Sequence, residues 1–539
     1  MSKQESPQSP AAHLSVMLFE QAVTNILIVT LVVGLITVLF SRSNERRKPP
    51  GPPGWPIIGN VLDLGPRKWL AFAKWGETYG GIIYLSIPIL NVHIVVLNTL
   101  KVATDLLERR AHIYSDRPNW IMASEMLAGG YFLPLASYGD RWRRMHKVAH
   151  ESLRRANVNV AKVYQAQECA AVELALRALT EPERWSDHAR DIISNTLFEH
   201  TYDLPGQSEG AVRFMKCVYR FMRRTISSAS LGKWAVDFFP LLRFLPEWCA
   251  TWKTWAAKHY GRSDAEFINM ANLHLRRRVN VQTPISSFTT RLENDEISAR
   301  ISRGLSTREA AWLSASIYAA GSETTSTALV WWQIAMALHP TAQMRAQEEL
   351  DAVVGRARPP RLTDIKHLPY TQAVVRESMR WSPGGPIAIP HCALEDDEYE
   401  GFHIPKGSIV IPNVWSLNRD PAVFGGDAHT FRPERHLDST GYFFRSSEGT
   451  HGEGHSAYGF GRRICVGRHW ANNALFIIAA TSLWAMSFEP VKGREPGLDD
   501  VVEEGNIVSP APGYAIVIRP RFAEAQWLLA LERENEEAC

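Results

Sequence analysis

Near the C-terminal end of the chain, the run Tyr458-Gly-Phe-Gly-Arg-Arg-Ile-Cys465-Val-Gly467 gathers two arginines and one thiol in a glycine-rich stretch. A thiolate stays ionised only beside positive charge or a metal, and a cysteine thiolate is one of the few axial ligands that haem iron accepts. A buried structural cysteine in a turn is the alternative, because free cysteines are commonly small core hydrophobes. A second cluster, Ala320-Gly-Ser-Glu-Thr-Thr325, lies inside a helix predicted from about Thr307 to Leu338. Glycine in a helix interior costs about 1 kcal/mol relative to alanine, and adjacent threonines add nothing. Such weakening marks packing or function, or simply threonine bonding back to its own helix. Glu377 and Arg380 stand three apart in Val374-Val-Arg-Glu-Ser-Met-Arg-Trp381, on one helix face where they can pair. Surface helices carry such pairs constantly.

These groups must be positioned by a long chain. Its 539 residues carry a formal net charge of +3, with basic and acidic residues intermixed. That balance is too mild to argue for nucleic-acid binding. The six cysteines show no paired spacing, which fits a reducing compartment. Residues 22–40 read AVTNILIVTLVVGLITVLF without a charge, long enough to cross a bilayer as a helix. A signal peptide is the alternative reading, but the preceding tail lacks a compact basic region. Arg42, Arg46, Arg47 and Lys48 follow directly and would hold the C-terminal side in the cytosol. The expected order is a lumenal tail over 1–21, an anchor over 22–40, a basic stop with a proline-rich hinge over 41–56, one domain over 57–525 and a tail over 526–539. The hinge, Pro49-Pro-Gly-Pro-Pro-Gly-Trp-Pro56, is too rich in proline for helix and stiff enough for a spacer.

Within the domain, residues 81–97 read as short strands. Helical patterns run through 141–180, 185–200, 211–226, 308–338 and 341–354. Strands and turns follow over 386–412, with Glu400-Gly401 and Lys406-Gly407 as turn signals, and strand character returns at 514–518. The expectation is a mainly α domain with a minor β region assembled from both ends of the chain.

The cysteine run resembles the haem-binding loop of the cytochrome P450 family, Phe-x-x-Gly-x-Arg-x-Cys-x-Gly. Gly461, Arg463, Cys465 and Gly467 match it, and Tyr458 stands where Phe is usual. The resemblance implies a cytochrome P450 fold holding haem b (iron protoporphyrin IX). Cys465 would be its axial ligand and Arg463 would pair with a propionate. Loop glycines such as Gly467 would bring backbone N–H groups near the sulfur, where hydrogen bonds adjust the potential. The helical cluster resembles the family's oxygen-side helix. There Gly321 would leave room beside dioxygen, while Glu323 and Thr324 would hold a hydroxyl-and-water relay for the protons that the reaction consumes. Glu377 and Arg380 match the family's Glu-x-x-Arg, with Arg435 of Phe431-Arg-Pro-Glu-Arg435 as the third member of a buried brace.

Trp142 matches the family's Trp-x-x-x-Arg helix, but His146 occupies the arginine position. A shorter donor, charged part of the time near neutral pH, would then face a propionate; a plain helix-surface histidine is the alternative. His391, after Pro390, would be a further propionate contact. The implied activity is a monooxygenase inserting one oxygen atom from O2 into a hydrophobic small molecule. Neither a fused electron-transfer domain nor a G-x-G-x-x-G nucleotide fingerprint is evident. Electrons from NADPH would therefore arrive through a separate NADPH–cytochrome P450 reductase, with cytochrome b5 as a further partner, at the endoplasmic reticulum membrane. The chain is similar in style to fungal microsomal members, including O-methylsterigmatocystin oxidoreductase-like enzymes. Two rival classes remain at this level: a haem-thiolate isomerase or dehydratase acting on peroxides, and a membrane-tethered haem protein without catalysis.

Overall fold

A computed structural model describes residues 47–65, 67–154, 160–230, 232–279, 304–442, 444, 449–495, 501–504, 507–510 and 515–537. The expected tail and anchor over 1–40, with the first part of the basic stop, lie outside the described residues. Among the described residues no helix is long and apolar enough to cross a membrane.

The main helices are α1 Lys68–Tyr79, α2 Asp140–Leu153, α3 Ala161–Thr180, α4 Trp185–Tyr202, α5 Glu209–Ser228, α6 Thr251–Val279, α7 Thr307–Leu338, α8 Pro340–Val353, α9 Pro369–Trp381, α10 Arg468–Ala485 and α11 Ala525–Glu537. Strands β1 Ile82–Ile87, β2 Val92–Leu97, β3 His391–Cys392 and β6 Ile409–Pro412 form a sheet in the order β1-β2-β6-β3. β1 pairs antiparallel with β2 and β2 pairs parallel with β6, so residues near 90 and near 410 share one sheet. Three two-stranded ribbons complete the β region: β4 Asp397–Tyr399 with β5 Phe402–Ile404, β7 Met486–Pro490 with β10 Ile516–Pro520, and β8 Val501–Glu504 with β9 Ile507–Pro510. The mainly α domain with a minor sheet drawn from both ends is what the sequence predicted.

The central element is α7. At 1.5 Å per residue, its 32 residues span about 48 Å. A capping box starts it: Ser306 Oγ accepts the Glu309 N–H at 3.2 Å, and Glu309 Oε2 accepts the Ser306 N–H at 2.8 Å. Glu309 Oε1 also takes Arg144 of α2 at 2.7 Å, tying the entry of α7 to the helix that carries Trp142 and His146. Most of α7 is buried on all sides, the mark of a helix running through a core. At its C-terminal half Trp332 meets Phe488 edge to face at 5.4 Å, and Trp185 meets the same ring at 5.6 Å.

Two features mark the ends of the domain. In the described part of the proline-rich run, Tyr84 N–H donates to Pro50 O at 2.9 Å and Asn60 Nδ2 to Pro52 O at 3.3 Å, so the run lies against β1. Residues 526–539 were expected as a tail, yet α11 covers most of them. It packs along α3 with Ala525 and Leu529 fully buried, and Glu532 pairs with Arg361 at 2.5 Å. Apolar spacing within Ala525-Gln-Trp-Leu-Leu-Ala-Leu is the signal that marks it.

Candidate active site

The loop carrying Cys465 is shaped by backbone contacts. Gly461 has φ +55°, and a Cβ there would collide with the Leu107 carbonyl; only glycine tolerates both conditions. Cys465 N–H donates to the Tyr458 carbonyl at 2.9 Å. Backbone N–H groups of Gly467 and Arg468 bond the Cys465 sulfur from the start of α10. Burial pushes the thiol's pKa up, while these N–H groups and the Arg468 charge pull it down. Cys465 is surrounded by protein yet only half-buried, so the surface it keeps faces inward.

Beside this loop, residues from five separate segments converge. Arg463 Nε donates to Ser115 O at 2.7 Å and Nη2 to Ala136 O at 2.9 Å. Its guanidinium lies over the Trp142 ring at 4.2 Å, and Nη1 is buried without a partner. His146 stacks on the other part of this group, 4.4 Å from Trp142 with planes 21° apart. Its Nε2 is likewise buried and unpartnered. Burial first, then His150 and Arg463, push the His146 pKa down to about 4. The ring is therefore neutral near neutral pH, not partly charged, and it is no plain surface histidine. His391 is buried and bonds the Tyr114 carbonyl through Nδ1 at 2.7 Å. A carbonyl only accepts, so Nδ1 carries the proton and the neutral ring presents Nε2 as a lone pair. Burial and the charges of Arg117 and Arg463 hold its pKa well below the usual value.

Arg117 was not among the sequence candidates. Its Nη1 donates to Ile389 O at 2.7 Å and Pro390 O at 2.8 Å, and Nε to Pro134 O at 3.0 Å. Nothing local in Asp116-Arg117-Pro118 announces this, because the acceptors lie some 270 residues away. Burial, then Arg463, push its pKa well down. The neighbouring Asp116 Oδ1 accepts backbone N–H groups of Arg117 and Tyr138. Among the described residues neither Arg117 nor Arg463 has a carboxylate ion pair. A buried and a half-buried cation without an ion pair, an orphaned guanidinium nitrogen and an orphaned imidazole nitrogen fit a group that brings its own carboxylates, as haem does. A thiol enclosed by protein, with N–H groups aimed at it, fits the same group from the other side.

On α7, Thr324 is exposed although the helix around it is buried, so the middle of the helix borders a hollow in the domain. Its hydroxyl donates back to the Ala320 carbonyl at 2.6 Å. Glu323 and Gly321 are half-buried beside it. A Cβ on Gly321 would press on Leu197 of α4. Leu197 therefore approaches the helix closely at the point where Gly321 has no side chain. α7 packs directly on α10, the helix that continues from Cys465.

Below the loop, Glu377 is fully buried and accepts five hydrogen bonds from four residues. Arg380 Nε reaches Oε2 at 2.7 Å and Nη2 reaches Oε1 at 2.8 Å. Arg435 Nε and the Arg432 N–H reach Oε1 at 3.0 and 2.7 Å. His436, also missed from sequence, bonds Oε2 through Nε2 at 2.9 Å. Burial would raise the Glu377 pKa, but the bonds from Arg380 and His436 outweigh it and hold it at about 2. The remaining Arg380 nitrogens donate to the carbonyls of Asn418, Ala428 and Thr430.

Residues 49–517 match the family model described as cytochrome P450. A cytochrome P450 monooxygenase of Armillaria gallica is 43% identical over 514 residues, covering 94% of this chain and 96% of that protein. Cytochrome P450 monooxygenase 58 of Postia placenta is 36% identical over 537 residues, covering 98% and 100%. Cytochrome P450 monooxygenase iboC of Amanita muscaria is 33% identical over 562 residues, covering 94% and 97%. The enclosed cysteine beside its cations thus lies in a chain matched almost end to end by these proteins: the chain belongs to the cytochrome P450 family and is a fungal haem-thiolate, O2-dependent monooxygenase.

Proposed function

We propose that the chain oxidises a hydrophobic small molecule, most simply by C–H hydroxylation, with electrons passed from NADPH by a separate reductase. The observation that carries this reading is the pairing of an enclosed Cys465 with the cation cradle of Arg463 and Arg117. In this reading Cys465 would hold the haem iron, and Arg463, Arg117 and His146 would hold the haem carboxylates. His391 would be a further contact to those carboxylates. When bound there, haem supplies dioxygen activation and oxygen-atom transfer.

The chain's own groups do the rest. Gly467 and Arg468 N–H groups partly offset the burial that pushes the Cys465 thiol up. Thr324, exposed in the middle of α7, offers a hydroxyl that can pass a proton from water, and Glu323 sits one residue away to supply it. Glu377, Arg380 and Arg435 brace the cysteine loop. Side chains of Trp120, Ile121, Met122 and Ile387 are buried and apolar in segments that flank this site by analogy, and apolar walls select apolar ligands.

Outside the pocket, Arg143 and Arg462 are exposed around Tyr138 on the cysteine side, a surface suited to an acidic electron donor. The apolar stretch 22–40, followed by basic residues, supports a single-pass anchor in the endoplasmic reticulum membrane with the domain in the cytosol. The kinship with O-methylsterigmatocystin oxidoreductase-like enzymes rests on overall sequence style.

The test is the difference spectrum of the reduced, CO-bound full chain beside Cys465→Ala. A band at about 450 nm in the wild type and missing from the variant supports thiolate ligation. Product formation with NADPH and reductase then separates a monooxygenase on apolar substrates from a reductase-independent enzyme. Folded protein without a haem band overturns the reading.

A further inference from the structure

The segment leading into the cysteine loop carries a polar chain that the haem-binding pattern leaves unused. Tyr458 stands where a purely apolar ring is usual, and a phenol taken out of water needs a partner. Its hydroxyl donates to Asn472 Oδ1 at 2.7 Å. Asn472 Nδ2 in turn donates to Glu453 Oε2 at 2.8 Å. Asn472 sits in the first turns of α10, directly after the cysteine loop. Tyr458 therefore grips two things at once. Its carbonyl holds the Cys465 N–H, and its hydroxyl fixes the amide that aims the carboxylate.

The charges around this chain oppose one another. Arg468 Nη1 donates to the Cys465 carbonyl at 3.1 Å. Arg376, on the other flank, donates to Gly452 O at 2.5 Å and lies over the Phe444 ring. Both arginines are committed elsewhere, and among the described residues neither forms an ion pair with Glu453. Glu453 thus stands two hydrogen bonds from the Tyr458 hydroxyl, and the same tyrosine's carbonyl holds the Cys465 N–H.

We propose that Glu453, aimed by Asn472 and Tyr458, is a positioning residue that supplies a fixed negative charge on the thiolate side and lowers the reduction potential of the haem iron. This rests on Cys465 being the axial ligand. A negative charge beside a metal favours its more positive, oxidised state, and charge and hydrogen bonds around the sulfur are what set haem potentials. In a partly buried site such a charge acts through a lower dielectric than water. Tyr458 is then not a neutral replacement for phenylalanine but the anchor of this chain.

A brace without electrostatic purpose would tolerate the isosteric Glu453→Gln, which keeps an acceptor for Asn472 and removes the charge. The experiment uses the full-length haem-loaded protein and its Glu453→Gln, Asn472→Ala and Tyr458→Phe variants. Each is read for the position of the reduced CO band and for the midpoint potential by spectroelectrochemical titration. The expected result is an unmoved band with a potential shifted upward most in Glu453→Gln, less in Asn472→Ala and least in Tyr458→Phe. An unmoved band with an unchanged or lowered potential in Glu453→Gln overturns the tuning role while leaving ligation intact. If Glu453→Gln fails to retain haem, unmoved potentials in the other two variants overturn it. A wild-type band that is unaffected by Cys465→Ala overturns the ligation itself, and the proposal with it.

Discussion

Two buried charge clusters flank the cysteine loop, and they are built on opposite principles. Around Glu377 the account is closed. One carboxylate receives two arginines, a histidine and a backbone N–H, and spare guanidinium nitrogens end on carbonyls. Around Arg463 the account is open. A buried and a half-buried guanidinium lie close together, one nitrogen has no partner, and no carboxylate pairs with them among the described residues. The pKa directions express the contrast. Neighbours hold Glu377 at about 2 against the pull of burial, whereas burial drives Arg463 down to about 10 because the help from Asp116 and Tyr138 is weaker. A protein that tolerates such unpaired cations is keeping them for something else. The closed cluster needs no further partner, and the open one is the cluster that a ligand's carboxylates would complete.

The sharpest way to break this comparison is Glu377→Ala. It strands Arg380 and Arg435 in a fully buried site, and removing one partner of such a pair costs about 3–5 kcal/mol. That is a large share of a domain's stability. The expected outcome is loss of soluble folded protein, and with it of haem, seen in yield and in the thermal transition. A variant that folds normally and binds haem would mean the cluster does not brace the loop. The sign in acid agrees. Since the folded pKa of about 2 lies below the ordinary 4.5 of a glutamate, the carboxylate's stabilisation is complete above pH 4.5 and is lost as pH falls toward 2.

Arg463→Gln should separate the two clusters. It removes a cation that no carboxylate pairs with, at the expense of two bonds to carbonyls, so haem-free stability should move by about 1 kcal/mol or less. Haem retention should suffer more, because a charged hydrogen bond to a carboxylate contributes about 1.5–3 kcal/mol, or roughly ten- to a hundredfold in affinity. Haem content per folded protein, beside the melting of the haem-free chain, reads both quantities. Equal damage to both would place Arg463 with Glu377 as structural.

How far the residues could be read in advance follows the same division. The cysteine loop, α7 from Thr307 to Leu338 and the strands near residues 82–97 and 402–412 carry local signals: glycine spacing, a capping serine, β-branched runs. Glu377, Arg380 and Arg435 were legible because their partners recur at fixed spacing in one pattern. Arg117 and His436 were not, since each acquires its meaning from residues far along the chain. α10 was missed because Ala474 to Ala485 is apolar on every face, and periodicity vanishes in a helix buried all round. The site of Gly321 shows the limit of a motif: its letters matched, but the close approach of Leu197 comes only with tertiary packing.

Thr324→Ala is the smallest change and the most discriminating for catalysis. The hydroxyl is exposed and bonds only back to Ala320 of its own turn in the described contacts. Deleting it strands no buried group, and alanine is the better helix former by a few tenths of a kcal/mol. Stability should therefore stay level or rise slightly, and haem should be retained. If the residue were merely a tolerated helix irregularity, turnover would be equally indifferent. If it hands on the protons that dioxygen cleavage consumes, the variant should still draw electrons from NADPH but convert fewer of them into product, with more hydrogen peroxide released. The ratio of product to NADPH consumed is the quantity to follow. A normal ratio in a stable, haem-loaded variant would remove Thr324 from the relay, and leave Glu323 and water as the groups that must carry the proton unaided.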